Sequence, residues 1–217
     1  MYNFPISTEF NKRIPKQKIY ENADISPALR RIFTDRIRHI SWRNKLAAAT
    51  LNIAAGEVVT EVEIIELRLS EPQIDEDALR LFDKAIPYHI LFILTCDGKA
   101  QAWIGYKQAA AGSSAFKVSR YYHTEWMDED ALTFRTDGAN MDDVYESLLR
   151  QIALMQGEAW SAELGAAENI ALDEKKKLLE KRIAELERKM RNEKQLNRRM
   201  EMNSEIKKLK EMMQQYG

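Results

Sequence analysis

The sequence predicts an α+β fold: a mainly antiparallel sheet flanked by helices, followed by a long C-terminal helical segment that is either a helical hairpin or a coiled coil. Three observations carry this expectation. Residues 88–95 (YHILFILT) and 100–107 (AQAWIGYK) are strand-like runs joined across Asp97-Gly98, a pair that tolerates the positive φ of a tight hairpin turn. Residues 58–69 make a third run rich in Val, Ile and Leu. From Glu163 to Tyr216 there is no proline and Gly165 is the one glycine, while the strong helix formers Glu, Lys, Arg, Leu and Met dominate.

Taken in order, the first predicted helix spans Ser26 to Ile40. Ser26 offers an N-cap, and Pro27 suits the first helical position because its missing N–H would be unpaired there. Leu29, Ile32, Phe33, Ile37 and Ile40 fall near one face of it. In the strand over 58–69, Val62 and Ile64 have one parity and Ile65, Leu67 and Leu69 the other. An extra residue flips the inward face of a strand, so a β-bulge is expected there. A short helix follows from Asp75 to Lys84, with Asp75, Glu76 and Asp77 complementing its dipole. The nearly continuous apolar character of 88–95 predicts a central strand covered on both faces. Residues 109–115 (AAAGSSA) read as a flexible loop, and 116–124 and 131–135 as further strands. Asn140 caps a helix to about Met155, with Val144, Leu148, Ile152 and Met155 facing inward.

A short echo links Phe10-Asn-Lys-Arg-Ile-Pro15 to Phe82-Asp-Lys-Ala-Ile-Pro87. Proline restricts the residue before it to extended backbone, so a shared way of entering a strand explains it without duplication.

The chain of 217 residues suits a globular domain over 1–157 and a charged helical extension over 158–217, with Gly157 at the boundary. In the extension, Leu172, Leu179, Ile183, Leu186 and Met190 follow 4-3 spacing, and so do Met202, Ile206, Leu209 and Met213. The two sets are out of phase, since the step from Met190 to Met202 does not fit a heptad. A hairpin turning between about 191 and 197, or one continuous helix whose stripe changes partner, would each satisfy this. The stripe then serves self-association, packing on the protein's own domain, or a different protein. Leu179, Ile183, Leu186, Met190, Met202, Ile206, Leu209 and Met213 are its partner-binding candidates.

The net charge of −1 hides a gradient. Residues 1–60 hold ten Lys and Arg against five Asp and Glu; 61–157 hold nine against seventeen; 158–217 hold fourteen against twelve. With one cysteine, Cys96, no intramolecular disulfide framework is possible and a reducing compartment is expected. The N-terminus has no apolar signal-like run, and no run approaches the roughly 20 apolar residues that span a bilayer. These features predict a soluble, cytoplasmic protein with no membrane association.

Catalytic signatures are absent. His39, His89 and His123 are scattered and form no Cys/His cluster, so no metal site is expected. No nucleophile elbow or phosphate-binding glycine loop occurs, and no cofactor is predicted. One enzymatic alternative is a divalent-metal nuclease, in which Glu61, Glu63 or Glu66 would hold the cation and Lys107 would stand near the water. Glutamates on the solvent face of a strand are the plainer explanation. A second alternative is DNA binding through Lys12, Arg13, Lys16, Lys18, Arg30, Arg31 and Arg38, interleaved with Tyr20, Phe33 and Trp42. Tyr121, Tyr122 and Trp126 form an aromatic group suited to core packing or to a recognition platform.

Several segments together resemble a known family. They are Asn11-Lys-Arg-Ile-Pro-Lys16, Ile40-Ser-Trp-Arg-Asn-Lys-Leu46 with Thr50-Leu-Asn-Ile53, the strand around Glu63 to Leu69, and Asp83-Lys-Ala-Ile-Pro87. Tyr106-Lys107, Tyr122-His-Thr-Glu-Trp126, Asn140 to Tyr145 and Glu193-Lys-Gln-Leu-Asn197 complete the set. In this order they resemble the domain-of-unknown-function family 4391 (DUF4391). Ala47-Ala48-Ala49 depart from it, standing where a more polar turn is expected. The resemblance assigns no catalytic residue. It implies a companion of SNF2-type helicases and DNA methyltransferases in bacterial restriction or anti-phage loci. The leading expectation is therefore a non-catalytic accessory or assembly protein.

Overall fold

A computed structural model describes residues 2–20, 25–109 and 116–214. Most of the predicted loop over 109–115 therefore lies outside the described residues. The chain divides into two compact units, Met1–Glu158 and Ala159–Gly217.

The first unit is built on one mixed sheet. Strands β1 (Glu9–Arg13), β2 (Ile37–Ala47), β3 (Glu61–Leu69), β4 (His89–Cys96), β5 (Lys99–Ala109) and β6 (Phe116–His123) lie side by side in chain order. The two-residue strand β7 (Met127–Asp128) pairs with the start of β5. Every neighbouring pair is antiparallel except β3 and β4. Helix α4 (Glu76–Ala85) connects those two strands, because a parallel pair needs a long crossover and not a tight turn. Before it in the chain come three short helices: α1 (Gln17–Tyr20), α2 (Pro27–Arg31) and α3 (Ala48–Leu51). Helix α5 (Met141–Met155) closes the unit. The fold class is α+β with a mainly antiparallel sheet, as the sequence predicts.

All eight residues of β4 are buried. Phe92 meets Phe82 of α4 with ring centroids 5.6 Å apart, while His89, of opposite parity, meets Tyr145 of α5 at 4.3 Å. The sheet is thus covered on both faces, which explains the unbroken apolar run. The β4–β5 turn has φ of 48° at Asp97 and 79° at Gly98, the backbone the Asp-Gly pair was expected to adopt. Asn140 and Ser26 act as N-caps, accepting from the backbone N–H of Asp143 and Leu29.

Several boundaries differ from expectation. The helix begun at Pro27 passes through a π-helical turn over Ile32–Arg36 and ends there. Ile37 and Ile40 belong instead to β2, where both are buried. Their helical spacing coincided with positions that a bulged strand also buries. The bulge lies in β2 and not in β3: the register against β3 slips between Trp42 and Asn44. The β3–β4 register runs unbroken from Val62 to Arg68. Both parities of β3 are apolar because both of its faces are covered. Residues 131–135 are not a strand; Thr133 makes only an isolated bridge to Tyr2, and Phe134 stacks on Phe4 at 5.7 Å. Met155 is 43% exposed, not inward. The echo segments share no local structure, since Phe10 lies in β1 and Phe82 in α4.

The second unit is a helical hairpin of α6 (Ala166–Asn192) and α7 (Leu196–Gln214). Ile183, Leu186 and Ile206 are buried, with Met190, Met202, Leu209 and Met213 packed against them. Arg182–Glu205 (3.1 Å) and Lys210–Glu187 (2.9 Å) bridge the two arms. The break at residues 193–195 resets the phase, so two out-of-phase seams meet each other. At its base, buried Asn169 donates to the carbonyls of Ser161, Leu164 and Gly165, and Trp160 Nε1 donates to Asp173. No described helix is long and apolar enough to cross a membrane.

Candidate functional site

Strand parity separates the glutamates. In the regular β3, Glu61 and Glu63 share a face with Ile65, whereas Glu66 points to the other. Glu66 lies 3.5 Å from Arg43, the residue at the β2 bulge. Glu61 pairs with Lys45 at 2.8 Å. Glu63 is almost wholly buried, and Trp42 Nε1 donates to its Oε2 at 2.6 Å. Burial, reinforced by the adjoining Glu61 carboxylate, pushes the Glu63 carboxyl up to about 8.

Lys107 belongs to a different constellation. Its Nζ is 2.8 Å from Asp83 Oδ1 of α4, with both side chains buried, and it also donates to the Tyr88 carbonyl. Tyr121 donates its hydroxyl to Asp83 Oδ2. The Tyr121 ring reaches α4 by passing close over Gly105, where a Cβ would come within 2.9 Å of it. Glu61, Glu63, Glu66 and Lys107 are therefore not assembled into one metal-binding set. Among the described residues no group of three or more His, Cys, Asp or Glu side chains could hold a metal ion.

The cations predicted from sequence are better placed. Lys12, Arg13, Lys18, Arg30, Arg31 and Arg38 are exposed on the edge formed by β1, α1, α2 and the start of β2, with Lys16 half-buried. Lys12 sits over the Phe10 ring at 4.2 Å and Arg30 over Tyr20 at 5.5 Å. None of the seven makes an ion pair with a described residue. Phe33, by contrast, is a core side chain.

Beside this edge a cleft of about 460 Å³ opens. Glu63 and Ile65 line it from β3; Phe10 and Trp42, whose centroids are 4.2 Å apart, add aromatic surface. Lys12, Arg13 and Lys18 supply its charge. Ile14-Pro15 and Ile86-Pro87 both line it, so the echo segments meet in space although their backbones differ. Sequence reading missed the cleft. The repeated Ile-Pro was its one local trace, and nothing local tied Trp42 to Glu63 or Asp83 to Lys107.

The remaining candidates are structural. Tyr121 and Tyr122 are buried and Trp126 packs against the core, so they form no recognition platform. His89 is buried beside Tyr145, and desolvation, aided by the Lys107 charge, lowers it to about 4. His123 stacks on Trp103 at 4.3 Å. Asp142 accepts from the backbone N–H of Glu57 (2.6 Å), Val58 (3.1 Å) and Val59 (2.7 Å). Its desolvation is outweighed by these donors, which hold the carboxyl below the usual range. Seven of the eight tail candidates pack on one another within the hairpin, and Leu179 is half-buried. They form no open stripe.

Fold and site together define a small α+β protein with a basic, aromatic-lined cleft. The chain belongs to the family described as Domain of unknown function (DUF4391), whose model matches residues 2–213. No curated protein and no solved structure matches it.

Proposed function

We propose that this protein is a non-catalytic accessory or assembly factor of a bacterial restriction or anti-phage defence system. It would act in the cytoplasm beside a SNF2-type helicase or a DNA methyltransferase. The family membership motivates the setting. The observation that carries the non-catalytic part is the pairing of the chemistry-bearing side chains: Lys107 with Asp83, Glu61 with Lys45 and Glu66 with Arg43. An opposite charge already engages each of these groups, which supports a structural role for them. Co-purification from the native locus tests the reading. The helicase or methyltransferase is expected to accompany the full chain and to be weakened by deleting 159–217. Recovery of neither, with or without the deletion, sinks it.

A second reading, direct DNA binding, is favoured by the exposed cations beside the cleft. It predicts an affinity that falls steeply with salt, because each phosphate contact releases counterions. Affinity independent of salt would count against it. The metal-nuclease reading has no comparable support in the geometry.

A further inference from the structure

We propose that the cleft beside β1 binds a nucleotide unit, its planar base lying against Trp42 and its phosphate held by Lys12, Arg13 and Lys18. This deepens the DNA-binding reading, on which it rests, and is independent of the helicase or methyltransferase partner.

Size, wall and rim agree on that occupant. The volume of about 460 Å³ falls within the range of about 300–1,000 Å³ common to small-ligand sites. The walls offer Trp42, Tyr88 and proline surface, and aromatic side chains accept any base by stacking. The rim carries three exposed cations with no carboxylate partner among the described residues. A neutral apolar ligand would leave that charge unused, and a bare phosphate would leave the walls uncovered. Beneath them, Trp42 Nε1 donates to the buried Glu63 Oε2, which fixes the indole in place.

A free nucleotide and an unpaired base on a strand present the same chemistry. The strand is favoured by a second hollow of about 570 Å³ that shares the wall of Arg13, Ile14 and Pro15 and adds Lys16 and Arg38. A neighbouring phosphate has a place there.

The test titrates the purified full chain with the four deoxynucleoside monophosphates, with 5′-phosphorylated tetranucleotides and with ribose 5-phosphate, reading binding by calorimetry. Nucleotides are expected to bind and ribose 5-phosphate to bind about tenfold more weakly, since stacking contributes about 1–3 kcal/mol per base. Lys12→Ala and Lys18→Ala, at exposed positions that leave the fold intact, should weaken all nucleotides and flatten the salt dependence. Tighter binding of tetranucleotides identifies a strand as the source; equal binding identifies free nucleotide. The proposal is overturned if neither binds at millimolar concentration, if ribose 5-phosphate binds as tightly, or if Lys12→Ala and Lys18→Ala change nothing. Salt-dependent binding of duplex DNA with no nucleotide binding would overturn the cleft assignment alone and leave the DNA-binding reading standing.

Discussion

Lys107 Nζ lies 2.8 Å from Asp83 Oδ1, joining β5 to α4 through a pair whose side chains are only 2% and 5% exposed. A buried ion pair gains little over apolar side chains, but removing one partner strands the other charge. Lys107→Met should therefore cost about 3–5 kcal/mol. The double variant Lys107→Met/Asp83→Leu should recover more than half of that in urea unfolding. If the single variant is as stable as the parent, the pair does not hold α4 to the sheet.

Glu63 gives the protein a pH dependence of known sign. Its carboxyl rises from 4.5 to about 8 on folding, chiefly through burial. The folded state thus binds the proton more tightly, and stability from this group is full below about 4.5 and is lost as pH rises toward about 8. The slope is bounded at roughly 1.4 kcal/mol per pH unit. Glu63→Gln keeps an acceptor for Trp42 and cannot titrate. Its urea midpoint should fall less between pH 5 and pH 8 than the parent's, and equal slopes would contradict the assignment.

Asp142 has the opposite sign. Its folded carboxyl is held low by three backbone donors from 57–59, against the cost of desolvation. That stability is present above the unfolded value of about 3.9 and disappears as pH falls through the folded value. Asp142→Ala should cost on the order of 1–2 kcal/mol at neutral pH, with the difference from the parent shrinking in acid. A constant difference across that range would mean the carboxylate charge is not involved.

The hairpin depends on few side chains. Ile206 is the one buried residue of α7, and it meets Ile183 and Leu186. Ile206→Asp places a charge in that seam and should abolish pairing of the arms, since most helical stability in proteins comes from packing of an amphipathic face. Helical circular dichroism should drop while the sheet unit keeps its own unfolding transition. Full helicity in the variant would show that α6 and α7 do not need each other.

In the hairpin of β4 and β5, Asp97-Gly98 was legible because two residues alone set that backbone. The caps at Ser26 and Asn140 were legible for the same reason: each satisfies an N–H three residues on. The phase shift between the tail seams announced a break near Asn192, and the two helices end and begin on either side of it. Local pattern was less informative where a residue's environment came from distant chain. Ile37 and Ile40 fit a helix face by spacing, yet they are buried in β2 because β3 and the core beneath α4 receive them. Glu61, Glu63 and Glu66 look alike in sequence, yet parity and neighbours 21 residues away make Glu63 a buried partner of Trp42.

By itself, then, the sequence determined the α+β class, the turn and cap positions, the basic N-terminal third and a helical tail with a break in its apolar phase. Each of these is a matter of backbone preference or periodicity within a few residues. The tertiary structure alone decided that Lys107 neutralises Asp83, that Ile14-Pro15 and Ile86-Pro87 share one cleft, and that Glu63 lies at its floor. Those relationships arise from strand order and from which face of the sheet each helix covers. No local pattern records which distant side chain will supply the missing charge or hydrogen bond.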